Sequence, residues 1–284
     1  MSLRYTIDAF RTKQVLDKSY RQYSEAFKEG AWWGEYNREY DPETVRNILN
    51  AFENDRTRSF KLIHQSDYRD TYHGKVSGVD IYLKHYRTFQ AKYSRTTIIK
   101  RNILRRTLAK KSFALSFLLR QRGLPVIRSL FYGGKGEAHI PAEALYASIS
   151  VPGAVTLDYY FEKLMEPGKR YGSYTEDFVR ETSEFDPNEI LFAFGRFVGE
   201  IIRKEVHIFH KELYANTLIS PHGDTFRLTL CDLDVVSAIS PFTQEKRERE
   251  LEKFRRYLQQ RLRSFDKSPE LISSFRKGVE SCNR

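Results

Sequence analysis

Residues 207–220 read HIFHKELYANTLIS, and residues 228–236 read LTLCDLDVV. The first run puts His210, Glu212 and Asn216 just after a long apolar stretch, and the second carries Asp232 behind an apolar run. A carboxylate followed four or five residues later by an amide can contact a hydroxyl group and a magnesium ion together. A strand end holds an aspartate rigidly, which suits a metal ligand. Both patterns also occur in ordinary loops and turns, so the rest of the chain must decide.

Upstream, residues 59–86 contain the runs SFKLIHQ, DTYHGKV and VDIYLKHY, separated by Ser, Asp and Gly. Short β-branched and aromatic runs between turn residues predict a small antiparallel sheet. Alternation in the third run puts Ile81 and Leu83 on one face and Lys84 on the other. A lone strand lysine is most simply a solvated side chain. The helix, strands and helical half that follow Lys84 favour a functional role instead.

The remaining pattern predicts three segments. Residues 1–57 are predicted as an N-terminal helical extension, in which Asp41 and Pro42 cap and open one amphipathic helix. Residues 58–150 are predicted as a sheet with one or two helices, the last closed by Gly123 and Pro125. Residues 151–284 are predicted as mainly helical, with a small β insert around the runs quoted first.

Composition limits the partners and the address. The chain has 284 residues, 40% hydrophobic and 30% charged, enough for one large or one two-lobed domain. Its net charge of +11 predicts an anionic partner, which could be nucleic acid, a membrane leaflet, or a phosphorylated sugar or lipid. The two cysteines predict neither a disulfide framework nor a zinc site. Without a signal-like or membrane-spanning run, the expected location is the cytoplasm.

Five short runs occur in one characteristic order: IYLKHYR, FLLRQRGLPV, ALYASISVPGAVTL, FHKELYANTLI and LTLCDLD. In this order they resemble the lipopolysaccharide core kinase family, the Kdo/WaaP group of protein-kinase-like sugar kinases. The resemblance covers roughly residues 59–240. It implies an α+β, bilobal protein-kinase-like fold, with a small antiparallel-sheet N-lobe and a mainly helical C-lobe, to which this chain adds N-terminal helices.

The resemblance also implies roles for individual residues. Lys84 would grip the α- and β-phosphates of ATP, Glu212 would accept the proton of the sugar hydroxyl, and Asp232 would bind Mg²⁺. The second metal ligand would be Asn216, or Thr217 if the loop is counted as in the family. Backbone groups of the hinge would hold the adenine, and the residues concerned are Ala147, Ser148, Ile149 and Ser150.

The chain departs from the family pattern in three places. Glu212 replaces an aspartate, and the added methylene moves the carboxylate by about 1.5 Å, a displacement that can lower the rate ~100-fold. No acidic residue lies between Lys84 and Gly123, so the helix that normally pairs a glutamate with the lysine has Ser112 there instead. The run SDYRDTYHGKV has one glycine and no glycine-rich loop. Its candidate phosphate contacts are Arg69, Thr71 and His73.

The acid-free stretch is basic and has two interpretations of equal weight. It is either a solvated helical face or a cationic surface that binds anionic headgroups or inner-core sugars. The residues concerned are Arg95, Lys100, Arg101, Arg105, Arg106, Lys110 and Lys111.

Three functions remain open. The first is an ATP- and Mg-dependent kinase for a sugar hydroxyl, on Kdo or heptose, of the lipopolysaccharide inner core or a similar lipid-linked glycan. It would work in the cytoplasm, peripheral to the inner membrane, with an anionic glycolipid as acceptor. The second is a pseudokinase that acts as a binding module. The third is a nucleic-acid-binding protein, which ranks last because aromatic residues are scarce in the basic stretch.

Overall fold

The computed structural model describes residues 20–87, 107–137, 140–165 and 185–282. The chain divides into two compact units. The first, here called the sheet unit, comprises Met1–Gln121 and Ile127–Ser150. The second, the helical unit, comprises Arg122–Val126 and Val151–Arg284.

The sheet unit contains one antiparallel sheet of seven strands in the order β1-β2-β6-β7-β5-β4-β3. Its strands are β1 (Ser24–Glu29), β2 (Trp32–Asn37), β3 (Phe60–Gln65), β4 (Arg69–Val76), β5 (Val79–Arg87), β6 (Ser129–Glu137) and β7 (Ile140–Ile149). Its helices are α1 (Pro42–Asn54), the single turn α2 (Arg56–Ser59) and α3 (Leu108–Gln121).

Helix α1 covers one face of this sheet. The Asp41 side chain accepts the Glu43 N–H at 2.9 Å, so the helix begins where the sequence predicts. Its apolar stripe, represented by Ile48 and Phe52, packs in one core cluster with Leu83 of β5 and the inward residues of the neighbouring strands. Burial of this stripe fixes the register of β5, because a one-residue slip would turn Lys84 into the core.

The segment before α1 differs from the predicted helical extension. Residues 24–37 form the hairpin β1–β2, which extends the sheet beyond β6. Trp32, Gly34 and Tyr36 are buried and alternate with the partly exposed Trp33 and Glu35, a period of two that fits a strand and not a helix. A Cβ on Gly34 would lie 2.0 Å from the Tyr132 carbonyl oxygen, so only glycine allows β2 to approach β6 this closely.

Helix α3 packs against strands β6, β7 and β5 from the opposite face. Phe113 is fully buried, and its ring lies 5.2 Å from that of Tyr132 on β6. The helix is followed by Gly123 at φ +73°, the left-handed conformation that ends helices, as the sequence predicts. The beginning of the predicted basic helix, residues 88–106, lies outside the described residues.

The helical unit contains five helices and three short β-pairings among its described residues. The helices are α4 (Leu157–Met165), α5 (Pro187–Arg203), α6 (His210–Ala215), α7 (Gln244–Arg261) and α8 (Ser268–Ser281). The strands are β8 (Val155–Thr156), β9 (Val206–Ile208), β10 (Thr217–His222), β11 (Thr225–Leu230) and β12 (Val236–Ile239). Strands β11, β10 and β8 form one small sheet, and β12 pairs with β9.

Helices α5 and α8 form the tightest helix pair of this unit. A Cβ on Gly195 would lie 2.1 Å from the Phe275 carbonyl oxygen, and one on Gly278 would lie 2.0 Å from the Phe192 carbonyl oxygen. The two helix backbones therefore touch where each has no side chain. None of the helices in the described ranges is long and apolar enough to cross a membrane.

Candidate active site

Lys84 occupies an interior position of the sheet unit. Strand β5 lies between β4 and β7, and Lys84 pairs with Thr71 on one side and Tyr146 on the other. The residue is only 8% exposed. A lysine is rarely buried to this extent unless its ammonium group has polar company. The simpler interpretation, a solvated strand lysine, is therefore wrong.

The predicted phosphate contacts lie on the same strand, β4, and on the same face as Lys84. Thr71 is its direct cross-strand neighbour. His73 Nε2 lies 2.7 Å from Asp80 Oδ1, so its ring is already engaged. The preceding turn is closed by the Ser66 hydroxyl, which donates to the Arg69 carbonyl at 3.0 Å and accepts the Arg69 N–H at 3.2 Å. A serine thus tightens the turn that lacks the glycines of a phosphate loop.

The predicted hinge residues are mostly strand residues. Ala147, Ser148 and Ile149 pair with Leu83, Tyr82 and Ile81 of β5, and so belong to the ladder that holds Lys84. Ser150 lies just beyond the strand end, and its N–H donates to the Asp80 carbonyl at 2.9 Å. Their role in adenine binding stays a prediction. The first three residues use backbone groups in hydrogen bonds of the sheet. Only backbone groups that the sheet leaves free could bind adenine.

In the helical unit, α6 carries Glu212 and is followed by Asn216, its C-cap residue. The N–H of Asn216 donates to the Glu212 carbonyl at 3.0 Å, and its Nδ2 donates to the same oxygen at 2.9 Å. An asparagine in this arrangement retains Oδ1, an oxygen of the type that Mg²⁺ takes as ligand. The Glu212 side chain is 40% exposed, and its Oε1 lies 4.0 Å from Lys211 Nζ.

Thr217, the alternative metal ligand, is completely buried. Its Oγ1 donates a 2.6 Å hydrogen bond to the Leu213 carbonyl within α6. The hydroxyl therefore fastens the start of β10 to the helix. Asn216 has the better access of the two, because its side chain is only partly buried.

Asp232 lies directly behind β11, as predicted for a strand-end aspartate. The N–H of Cys231 donates to the Asn216 carbonyl at 2.9 Å, and Thr217 pairs with Leu230, so the β10–β11 ladder holds Asn216 and Asp232 at one end. The Asp232 side chain also accepts the Asp234 N–H at 3.3 Å, which caps a 3₁₀ turn over Leu233–Val235. The backbone at Asn216 therefore lies next to the backbone just before Asp232, and Glu212 lies one helical turn before Asn216.

Aromatic packing holds α6 against α7. The His210 ring lies 5.9 Å from Phe254 and 5.2 Å from Tyr257. Tyr214, fully buried, lies 5.8 Å from the Tyr257 ring. Partial burial lowers the pKa of His210 below its ordinary value, which favours the neutral ring at pH 7. His210 thus supports the helix that carries Glu212.

A hydrogen-bonded cluster around one carboxylate, which the sequence did not indicate, lies on the same face of the sheet as Lys84. Glu35 of β2 accepts hydrogen bonds from the hydroxyls of Tyr132 at 2.6 Å and Ser24 at 2.8 Å. Lys110 of α3 lies 3.4 Å from the same carboxylate. The register runs Glu35, Tyr132, Tyr146, Lys84 across four strands. Only a strand assignment for residue 35 could have revealed this row, and that segment was predicted to be helical.

In the family that the sequence resembles, the helix supplies the acid and the sheet supplies the lysine of the ion pair. Here the two charges are exchanged. The described part of α3 has no acidic residue, and Ser112 is fully buried. The helix supplies the cation, Lys110, and the sheet supplies the anion, Glu35. Lys110 consequently does not belong to an exposed cationic surface. Most of the remaining basic stretch, Arg95 to Arg106, lies outside the described residues.

A metal site in the helical unit would have few protein ligands. No group of three or more His, Cys, Asp or Glu side chains in the described ranges could hold a metal ion. Mg²⁺ does not require such a group, because it is commonly bound by one or two protein oxygens together with phosphate oxygens and water. The carboxylate of Asp232 and the amide oxygen of Asn216 fit that donor set.

The chain thus combines an antiparallel sheet unit, which holds a buried strand lysine, with a mainly helical unit, which holds a strand-end aspartate. The predicted α+β class, with an antiparallel sheet followed by a mainly helical half, is confirmed, whereas the extra N-terminal helices are wrong for residues 24–37, which form β1 and β2.

Solved structures of low sequence identity are similar to this chain. WaaP in complex with acyl carrier protein is 17% identical, with a TM-score of 0.48, over 86% of this chain and 98% of that chain. The Rio2 kinase complex with ADP, Mg²⁺ and phosphoaspartate from Chaetomium thermophilum is 12% identical, with a TM-score of 0.44, over 100% and 98%. The BubR1 kinase domain is 12% identical, with a TM-score of 0.41, over 78% and 52%. No protein-family model and no curated protein sequence matches the chain.

Proposed function

We propose that this protein is an ATP- and Mg-dependent kinase that phosphorylates a sugar hydroxyl of the lipopolysaccharide inner core or of a similar lipid-linked glycan. The observation that carries the proposal is the joining of Glu212, Asn216 and Asp232 by the α6–β10–β11 hydrogen bonds. The candidate base Glu212 and the candidate metal ligand Asn216 come from one run of sequence, and the hairpin β10–β11 returns the second run, with Asp232, to the backbone of Asn216.

In this proposal each residue has a definite task. Lys84 holds phosphate oxygens with its ammonium group. Its strand lies between two others, so the backbone that carries this charge is already in position when ATP binds. Glu212 accepts the hydrogen bond of the acceptor hydroxyl and takes up its proton. Asp232 and Asn216 would hold Mg²⁺, which when bound neutralises phosphate charge, while ATP supplies the phosphoryl group. Positioning and electrostatics account for most of the catalysis.

A decisive experiment is isothermal titration calorimetry with ATP, with and without Mg²⁺, on the native chain and on Asp232→Ala. We expect Mg-dependent binding to the native chain and a loss of at least ~10-fold in affinity in the variant, because a charged metal ligand is removed. Asp224→Ala is the matched control, since it removes the same charge from the exposed far end of the β10–β11 hairpin. Equal affinity in all three proteins would contradict the proposal.

A second function is favoured by two observations. Glu212 stands where the family has an aspartate, and the described part of α3 carries no carboxylate for Lys84. Both are expected of a pseudokinase that binds a partner without turnover. Native protein that is folded but does not bind Mg-ATP would favour this function. Binding followed by phosphate transfer to a glycan acceptor would favour the first.

The proposed acceptor is an anionic glycolipid, and the proposed place of action is the cytoplasmic surface of the inner membrane. The net charge of +11 supports both. Nucleic acid remains the least favoured partner.

A further inference from the structure

The turn between β3 and β4 is closed in part by a residue of another strand. The Arg69 N–H donates to the Ser66 hydroxyl at 3.2 Å, and the Ser66 N–H donates to the Arg69 carbonyl at 2.9 Å. In many turns the first carbonyl accepts the N–H three residues later. Here the Ser66 carbonyl accepts Arg87 Nη2 at 2.8 Å. A guanidinium group from β5 therefore supplies one of the hydrogen bonds that hold the turn.

Arg87 makes two further hydrogen bonds beside this turn. Its backbone N–H donates to the Tyr68 carbonyl at 3.0 Å, and its Nη2 also donates to Asp70 Oδ1 at 2.6 Å. The Asp70 side chain is 7% exposed and the Arg87 side chain 33%, so solvent and salt screen this ion pair less than a surface pair. One residue thus fastens two carbonyl groups of the turn and a buried carboxylate at the start of β4.

These bonds tie the turn to the strand that carries Lys84. Lys84 precedes Arg87 by three residues on β5, and it pairs with Thr71 of β4. Strand β5 lies between β4 and β7, so its backbone is held from both sides. A glycine-rich phosphate loop differs in this respect, because it moves to cover the phosphates of ATP. The hydrogen bonds of Arg87 oppose such a movement of the β3–β4 turn.

We propose that the β3–β4 turn is a rigid part of the phosphate site, and not a flap that closes over ATP, and that Arg87 is the positioning residue that holds it. The inference rests on the proposed function, since it concerns how the phosphates of ATP are received. A turn that is already ordered costs less to bind against, and the gain applies only to ligands that carry phosphate.

Arg87 acts through the turn and does not touch the nucleotide. Side chains three positions apart on a strand point to opposite faces, so Arg87 and Lys84 lie on different faces of the sheet. The Arg87 partner Asp70 alternates in the same way with Thr71, the neighbour of Lys84, and shares its face with Tyr72, which belongs to the core cluster beneath α1. Any effect of Arg87 on phosphate binding must therefore pass through the backbone of the turn and of β4.

The first test measures the rigidity of the turn without any ligand. The double variant Asp70→Asn with Arg87→Met removes the ion pair and leaves no buried charge without its partner, so it should fold. Its matched control is Glu43→Gln with Arg46→Met, which removes an exposed ion pair from α1 in the same unit. We expect hydrogen–deuterium exchange of the peptide covering residues 66–69 to be at least ~10-fold faster in the first variant and unchanged in the control.

Two results of this test would overturn the inference. Unchanged exchange at residues 66–69 would mean that Arg87 does not hold the turn. An equal increase in the peptides of β6 and β7 would mean that the ion pair stabilises the whole sheet unit and has no particular effect on the turn.

The second test asks whether the effect on binding is specific for phosphate. Calorimetry on the same three proteins uses adenosine, ADP and Mg-ATP as ligands. We expect the Asp70–Arg87 variant to lose at least ~10-fold in affinity for Mg-ATP but less than about 2-fold for adenosine, which has no phosphate for the turn to receive. Equal losses for the two ligands, or no loss for Mg-ATP, would overturn the positioning role.

The two tests separate failure of this inference from failure of the proposed function. A native chain that binds none of the three ligands would refute the proposed kinase, and with it the phosphate role of the turn. The exchange measurement would still decide whether Arg87 makes the turn rigid, because it requires no nucleotide.

Discussion

At the scale of single residues, Asn216 and Thr217 are neighbours in sequence with opposite surroundings. The Asn216 amide lies partly exposed at the end of α6, whereas the Thr217 hydroxyl is buried and bonded to Leu213. Counting along the sequence could not separate them, because the two candidates differ by one residue. The hydrogen bonds around the helix end favour Asn216 as the metal ligand.

We therefore predict different losses for the two substitutions. Asn216→Ala should weaken Mg-dependent ATP binding by at least ~10-fold with little change in stability. Thr217→Val should lower the free energy of unfolding by about 1–3 kcal/mol, because the buried Leu213 carbonyl loses a partner, and should leave nucleotide affinity nearly unchanged. Calorimetry and urea unfolding measure the two effects. The reverse assignment of effects would make Thr217 the ligand.

His85 predicts a pH dependence of stability. Burial lowers its pKa below the ordinary value of 6.5, although a 2.8 Å contact with Glu143 partly offsets the effect. The unfolded chain therefore takes up this proton at a higher pH than the folded chain does. Stability contributed by the neutral ring is present above pH 6.5 and is lost as the pH falls from there toward the lower folded pKa.

We expect the free energy of unfolding, measured with urea, to be larger at pH 8 than at pH 5.5. His85→Gln should reduce that difference, since the titrating group is gone. His64→Gln, which removes an exposed histidine from β3, is the control and should leave the difference unchanged. A difference that is unaffected in His85→Gln would refute this origin, and His210 would be examined next because its pKa is also lowered.

At the scale of elements, α3 is attached to the sheet by an ion pair of reversed polarity. Lys110 and Glu35 are 29% and 21% exposed, so the pair is better shielded than a surface ion pair. The carboxylate also accepts hydrogen bonds from the Tyr132 and Ser24 hydroxyls, which fix its position on the sheet. The position of α3 therefore depends on β2, a strand that the N-terminal segment contributes.

A double-mutant cycle measures this attachment. We expect Glu35→Gln and Lys110→Met to destabilise the protein singly and to show a coupling energy of about 0.5–2 kcal/mol in urea unfolding. The control cycle is Glu43→Gln with Arg46→Met, an exposed pair on α1 whose coupling should be close to zero. Equal coupling in the two cycles would mean that the Glu35–Lys110 contact adds nothing specific to the helix–sheet packing.

At the scale of the whole molecule, the charges that sum to +11 are spread unevenly along the sequence. In α7 and α8, cations alternate with acids and form ion pairs three or four residues apart. Residues 85–122 contain basic residues and no acid. Attraction to an anionic surface should depend chiefly on the second region, because no acidic residue lies within that stretch of the sequence.

We predict binding to phosphatidylglycerol-containing vesicles that weakens as salt rises from 50 to about 500 mM, since screening shortens the range of attraction. Sedimentation measures the bound fraction. Replacing four cations of the acid-free stretch by Gln should reduce binding at least ~10-fold. These four are Lys100, Arg101, Arg105 and Arg106. Replacing four paired cations is the control and should have a smaller effect, the residues being Lys253, Arg255, Arg256 and Arg276. Equal losses would mean that net charge alone governs binding.

The sequence by itself determined the features that depend on near neighbours in the chain. The alternation around Lys84, the Asp41 cap of α1, the apolar stripes of α5 and the strand-end position of Asp232 all follow from periods and short-range preferences. Together with the resemblance of the five short runs to a known family, these features predict the fold class and nominate the residues of the candidate site.

Only the tertiary structure decided the features that depend on distant neighbours. Residues 24–37 are strands because β6 offers a partner about a hundred residues away, and the aromatic-rich segment alone does not indicate that partner. The same is true of Glu35 beside Lys110, and of the burial that distinguishes Thr217 from Asn216. Burial and pairing are properties of the folded surroundings, so a residue's accessibility to ligand is fixed only when its contacts form.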